Sequence, residues 1–282
     1  MIRKPHFSSQ SRRLFLQNCP KAGVALAAFP AIFCSGVGVA AASNWRGLVG
    51  CVKATTHSDS LEDLFSVLPA GVGLLPVYMN FSKGTKAEMQ DSMANYETDV
   101  AYLASQQCDL ISVEGAPAFM LMGREKEAAL VDGWQKKYKI PMFTAPQNQV
   151  NAMHALKAKK ILGITPFGAD MNKVYTQYLS SAGFDVLSMN GMENITFSKI
   201  QDVPSEQIYG FIKKTYLKSQ GADVIYILCS ALSALGIIDV LEQDLQVPVL
   251  SPICARAWEI QKRLHIHQPI KGYGQLLATL PA

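Results

Sequence analysis

The residue best placed to do chemistry is Cys229. It follows the apolar run 224–228 and precedes Ser230-Ala231-Leu232-Ser233, which puts it at the carboxyl end of a predicted strand. A thiol there, opening a helix, would sit beside unpaired backbone N–H groups able to hold a carboxylate or enediolate oxygen. With a reference pKa of about 8.5, a thiol can give or take a proton near neutral pH. The same position suits an inert core cysteine equally well, because free cysteine is among the most buried residue types. Lys53, Thr55, Thr56 and His57 follow the first predicted strand and belong at the rim of the same region. His57 is either a second acid/base or a solvated loop residue. Glu114 either points into a cleft or caps a strand end.

Other chemistries find no support. Cys51, Cys108, Cys229 and Cys254 form no C-x-x-C and have no nearby histidine pair, so no metal site is expected. His265 and His267 read as surface residues. Met120-Leu121-Met122 reads as core packing. No glycine-rich phosphate loop is present, so no nucleotide cofactor is expected. In an oxidising compartment the four cysteines allow two disulfides.

Elements that could position Cys229 emerge from the hydrophobic pattern. Strand-like runs lie at 47–52, 72–77, 110–113, 141–143, 161–164, 185–189, 224–228 and 247–250. Helical patterns lie between most of them, as at 86–107, 126–137, 171–182 and 206–219. This alternation predicts an α/β fold with parallel sheets covered by helices. An internal repeat adds more. Ser105-Gln106-Gln107-Cys108-Asp109-Leu110-Ile111 is echoed by Ser219-Gln220-Gly221-Ala222-Asp223-Val224-Ile225, with the aspartates 114 residues apart. Leu48-Val49-Gly50 is echoed by Ile161-Leu162-Gly163, and Ile140-Pro141-Met142 by Val247-Pro248-Val249. Three landmarks in one order predict two pseudo-symmetric lobes, each a parallel sheet flanked by helices, with the active site in the cleft between them. The expected division is 43–140 plus 251–282 for the first lobe and 141–250 for the second. In the repeat, Gly115 occupies the position of Cys229.

Hydrophobic residues make up 49% of the 282 and charged residues 17%, as in a globular protein with a sizeable core. The net charge of +4 is mild and partly concentrated near the N-terminus, so no nucleic-acid partner is expected. Residues 1–42 carry Ser11-Arg12-Arg13-Leu14-Phe15-Leu16, a mostly apolar stretch to Phe33, and Ala40-Ala41-Ala42. That order matches an export signal of the twin-arginine type, which places the mature protein in the periplasm. The alternative is a membrane-anchored N-terminal helix. The apolar stretch contains Pro30 and is shorter than the ~20 residues of a spanning helix, so no stable membrane span is expected after signal removal. The sequence sets no oligomeric state.

The segment Asp223-Val224-Ile225-Tyr226-Ile227-Leu228-Cys229-Ser230-Ala231-Leu232, with Val247-Pro248-Val249-Leu250-Ser251 after it, resembles a known motif. It is similar to the second cysteine motif of the superfamily of arylmalonate decarboxylase, maleate cis-trans isomerase and the aspartate, glutamate and hydantoin racemases. Gly163-Ile164-Thr165-Pro166-Phe167, Asp170-Met171-Asn172 and Lys271-Gly272-Tyr273-Gly274 extend the resemblance over roughly residues 46 to 275. It implies cofactor-free chemistry on a small carboxylic acid, with Cys229 as the proton-transferring residue. Racemases and the maleate isomerase place one cysteine in each lobe. Arylmalonate decarboxylase has glycine in the first lobe, as this chain has Gly115, and is the closer match.

The resemblance thus implies decarboxylation of a small substituted malonate-type acid, through an enediolate that Cys229 protonates on one face. It also implies that Gly115 makes room for a bulky substituent. Gly115, Ala116, Ser230, Ala231, Thr165, Phe167 and Thr55 are the implied substrate contacts. Some differ from the family pattern. Ala116 and Pro117 replace hydroxyl residues, Phe167 replaces a tyrosine, and Ser230 replaces a glycine. Each lost charge-assisted hydrogen bond is worth roughly 1.5–3 kcal/mol, so other groups must take over, with backbone N–H groups of Ser230 and Ala231, and Thr165, Thr55 or Thr56, as candidates. Two other readings stand beside this one. One is an isomerase or racemase using His57 or Glu114 as second base. The other is a non-catalytic periplasmic binding protein.

Overall fold

Two four-stranded parallel sheets organise the chain, each in the doubly wound order in which the first strand in sequence lies inside. The computed structural model describes residues 44–54, 59–79, 81, 85–192 and 195–282, with the side chain of Asp59 excepted. All of them fall in one compact unit, Ala41–Ala282. The first half runs β1 (Gly47–Lys53), α1 (Asp59–Ser66), β2 (Val72–Tyr78), α2 (Lys86–Asp91), α3 (Met93–Ser105), β3 (Leu110–Val113), α4 (Ala116–Met122), α5 (Arg124–Tyr138) and β4 (Met142–Thr144). After α6 (Ala145–Ala155) come β5 (Lys160–Thr165), α7 (Ala169–Ser181), β6 (Asp185–Gly191), α8 (Ser205–Lys218), β7 (Val224–Ile227), α9 (Ile238–Leu245), β8 (Val249–Leu250), α10 (Pro252–Arg263) and α11 (Gln275–Thr279). The sheet orders are β2-β1-β3-β4 and β6-β5-β7-β8.

The aspartate and proline landmarks of the repeat are borne out bond by bond, while the register of the first landmark shifts by one residue, with Leu48 matching Lys160 and Val49 matching Ile161. Asp109 accepts from the Leu48 amide through Oδ2 at 2.8 Å and donates its own amide to the Leu48 carbonyl at 2.9 Å. Asp223 makes the same two bonds with Lys160, at 2.8 and 2.9 Å. The recurring aspartate therefore fixes where the central strand of each sheet begins. The proline landmarks match too. The Pro141 carbonyl accepts from Ile111 and the Pro248 carbonyl from Ile225. At the far end the Glu114 amide donates to Val52 and the Leu228 amide to Ile164, both at 2.8 Å. Glu114 and Leu228 are thus equivalent, as are Gly115 and Cys229.

Both faces of β3 and β7 are covered, and every residue of the two strands is buried. This explains their unbroken apolar runs, which are characteristic of parallel sheets. Two expectations need correction. The helix expected over 86–107 breaks at Ser92, whose hydroxyl donates to the Met89 carbonyl at 2.7 Å. Such back-bonding competes with the helical ladder. The lobe boundary at 140 also moves, because β4 hydrogen-bonds to β3 and so belongs to the first sheet.

The helices that follow the last strand of each sheet pack on one another. Thr144 caps α6 and Ser251 caps α10, each accepting from the amide three residues on, with proline in the first turn of both. α10 also packs against α1 and β3, so a helix that leaves the second sheet reaches the strand ends of the first.

Candidate active site

The carboxyl ends of β1, β3 and β7 converge with α6 and α10 on a cavity of about 80 Å³. Its apolar wall includes Phe81, Met89, Phe167, Phe197, Ile200 and Leu228, and its polar lining is Glu114, Gln149, Cys229, Ser230 and Arg256. The amide of Phe81 donates to the Ala54 carbonyl, which ties the segment after β2 to the end of β1 and brings the ring to the cavity.

Cys229 is the only cysteine lining this cavity among the described residues. It is half-buried, while Cys51, Cys108 and Cys254 are buried, and all four are free thiols. The two disulfides that the cysteine count allowed are therefore not formed. Cys229 does not open a helix as its sequence context predicted. It enters a single turn, and helix resumes only with the short 3-10 segment Leu235–Ile237 that leads into α9 at Ile238. The turn directs the amides of Ala231 and Leu232 toward the Cys229 sulfur. Burial pushes the thiol up to about 11, against the lowering by those two amides and with a smaller push from the negative charge of Glu114. The sulfur accordingly carries its proton at neutral pH.

Gly115 faces Cys229 across the pseudo-symmetric pair of strand ends. Its φ of 105° is left-handed, a conformation that favours glycine. A Cβ built there would overlap the hydroxyl of Tyr96. That hydroxyl is buried and has no hydrogen-bond partner among the described residues. The expectation that Gly115 makes room for a bulky substituent is therefore corrected, since Tyr96 fills that direction.

Beside Gly115, Glu114 takes part in a buried charge cluster. Its Oε1 accepts from Arg256 Nη1 and lies 3.4 Å from Lys53 Nζ. Lys53 Nζ also donates to the Ser60 hydroxyl. Exposure is 0% for Lys53, 4% for Glu114 and 1% for Arg256, so the cluster is out of bulk water. Burial raises the Glu114 carboxyl, but the charges and hydrogen bonds of Arg256 and Lys53 outweigh it and hold the group below its usual range. Glu114 thus points into the cavity, paired to two cations and poorly suited to act as a base.

The arylmalonate decarboxylase family model matches residues 80–277, well over half of the chain. The chain belongs to the arylmalonate decarboxylase family. Among curated relatives, a maleate isomerase from Nocardia farcinica is 26% identical over 128 residues, 45% of this chain and 51% of that enzyme. That match spans about half of the relative's length. Among solved structures, the maleate isomerase Iso from Pseudomonas putida S16 superposes with a TM-score of 0.77 at 18% identity, covering 83% of this chain and 99% of that one. Arylmalonate decarboxylase itself superposes at 0.67 and 18% identity, covering 82% and 98%. The two structural likenesses establish the shared two-sheet α/β fold.

For this member of the arylmalonate decarboxylase family, the cavity gathers Cys229, Gly115, Ala116, Ser230, Ala231 and Phe167 as the sequence led us to expect. Thr165 is not brought to it. Its hydroxyl donates to Asn172 Oδ1 at 2.7 Å and accepts from the Phe167 amide at 3.1 Å, so it serves the turn after β5. Thr55, Thr56 and His57 lie outside the described residues. Sequence reasoning missed Arg256 and Gln149. Arg256 had a usable signal, a lone charge inside the apolar run Ile253-Cys254-Ala255-Arg256-Ala257-Trp258, because arginine is almost never buried unless paired. Gln149 had none. Its Oε1 accepts from the buried Tyr226 hydroxyl, which orients the amide toward the cavity.

Proposed function

We propose that this protein is a cofactor-independent decarboxylase of a small substituted malonate-type acid. Loss of CO₂ leaves the bonding pair on the remaining carboxylate as an enediolate. The Cys229 thiol then donates its proton to the α-carbon, and the resulting thiolate recovers a proton from water. The observation that carries this reading is the pairing of one protonated cavity thiol, Cys229, with a facing Gly115 that has no space for a second. A proton donor must hold its proton before the reaction, and an elevated thiol pKa provides that. The cavity is smaller than the roughly 150 Å³ that holds a benzene ring, which favours an aliphatic substituent.

The test is incubation with methylmalonate in deuterated water. The expected products are CO₂ and propionate carrying one deuterium at the α-carbon, with phenylmalonate turned over far more slowly. No CO₂ from any small malonate would refute the proposal. A second reading, maleate isomerase, is favoured by the named curated relatives. It predicts conversion of maleate to fumarate without CO₂.

Export is a separate part of the proposal. The Ser11-Arg12-Arg13-Leu14-Phe15-Leu16 pattern supports twin-arginine transport to the periplasm. Residues 1–42 fused to a folded reporter should deliver it there, and retention in the cytoplasm would count against it.

A further inference from the structure

We infer that Arg256, held in place by Glu114, is the carboxylate anchor of the cavity and takes over from the hydroxyl donors absent at Ala116, Pro117 and Phe167. The inference rests on the reading of this cavity as a small-acid site and adds how the acid is held. Two cations and one carboxylate meet in the cluster, so Lys53, Arg256 and Glu114 together carry one net positive charge. Among the described residues neither cation has another carboxylate partner. A net charge out of water is costly unless an opposite charge joins it. An anion in the adjoining cavity supplies that charge.

Arg256 is the member that can reach the ligand. It lines the cavity and is 1% exposed, and among the described residues its Nη1 is engaged by Glu114 while its Nε has no hydrogen-bond partner. A guanidinium offers donors in a planar fork that matches a carboxylate. Glu114 therefore acts as a positioning residue. It fixes the fork by one edge and leaves the remainder toward the cavity. Gln149, oriented by Tyr226, stands on the same lining as a neutral donor. The rest of the wall is largely apolar, which strengthens any ion pair formed there. The ligand class that follows is a compact acid with a carboxylate at the Arg256 end and a small apolar substituent.

Calorimetric titration of the full chain carrying Cys229→Ala, which should slow turnover at least about 10²-fold, tests this with malonate, methylmalonate and maleate as probes. At least one diacid should bind, and its uncharged dimethyl ester at least 100-fold more weakly. Adding Arg256→Lys, which keeps the charge and loses the fork, should weaken binding at least tenfold. Arg256→Met, which leaves Glu114 paired to Lys53 and so no orphan charge, should weaken it at least 100-fold in protein that still melts cooperatively. Should these variants not fold, the comparison of acid with ester in the Cys229→Ala protein decides. Equal binding of ester and acid, unchanged affinity in folded Arg256 variants, or no binding of any diacid would overturn the anchor. The two proposals fail separately. Arg256-dependent binding without CO₂ release by the wild type refutes only the decarboxylase reading. CO₂ release with an unchanged KM in Arg256→Lys refutes only the anchor.

Discussion

The Tyr96 hydroxyl occupies the place where a side chain at residue 115 would begin. The two lobes repeat each other down to individual amide bonds, yet at this equivalent pair of strand ends one lobe presents a thiol and the other a bare backbone backed by a phenol. Symmetric two-thiol chemistry is thereby closed to the molecule at the level of packing.

Installing a thiol in the first lobe should consequently fail. Gly115→Cys meets both a left-handed backbone and the Tyr96 oxygen. We expect a loss of at least about 2 kcal/mol in stability, within the range for backbone strain and overpacking, and no gain of racemase activity. Urea unfolding together with α-proton exchange of a chiral product acid checks both. A stable variant that racemises would show that the glycine position is free.

The pH profile should bear the mark of a buried donor. With its pKa near 11, the Cys229 thiol stays protonated well past neutrality. In the proposed reaction the protonated form is the active one, so kcat should hold on the acid side and fall only as pH rises toward 11. An alkaline limb near the ordinary thiol value of about 8.5 would assign the step to a different, unburied group. Iodoacetamide should likewise modify Cys229 slowly, and Cys51, Cys108 and Cys254 not at all while the protein is folded.

Acid stability should follow Glu114. Its carboxyl is held below the usual range in the folded protein, so its contribution is complete above the ordinary carboxylate pKa of about 4.3 and is lost as pH falls through the lowered folded value. Glu114 is the shared counterion of two buried cations, so Glu114→Gln, which leaves Lys53 and Arg256 without it, should cost about 3–5 kcal/mol, while Arg256→Met, which leaves Glu114 paired to Lys53, should cost less. Chemical denaturation at pH 7 and at pH 3.5 measures the effect. Equal losses in the two variants would mean that the ion pairs do not govern this region.

Much of this architecture was readable from residue order because it rests on local pattern. Apolar runs separated by helical periods located all eight strands, and Asp109 and Asp223 betrayed the repeat because each performs the same backbone task at the start of a central strand. The lobe boundary was misplaced at 140 although the echo of Pro141 in Pro248 held its signal, since both prolines precede the last strand of a sheet. The charge cluster was far less legible. It depends on α10 leaving one sheet to pack on the other, which joins Glu114 and Arg256 across 142 positions of chain. Tyr96 was silent for the same reason. Its hydroxyl gains meaning only where α3 lies against the end of β3.

In the proposed reaction a single thiol delivers the proton, and the initial rate of CO₂ release by Cys229→Ala beside the wild type reads that step. Both proteins should show the same melting temperature within a few degrees. The alanine variant should be slower by at least about 10²-fold, the lower range for losing a general acid. Turnover at the wild-type rate by a folded Cys229→Ala protein would contradict it.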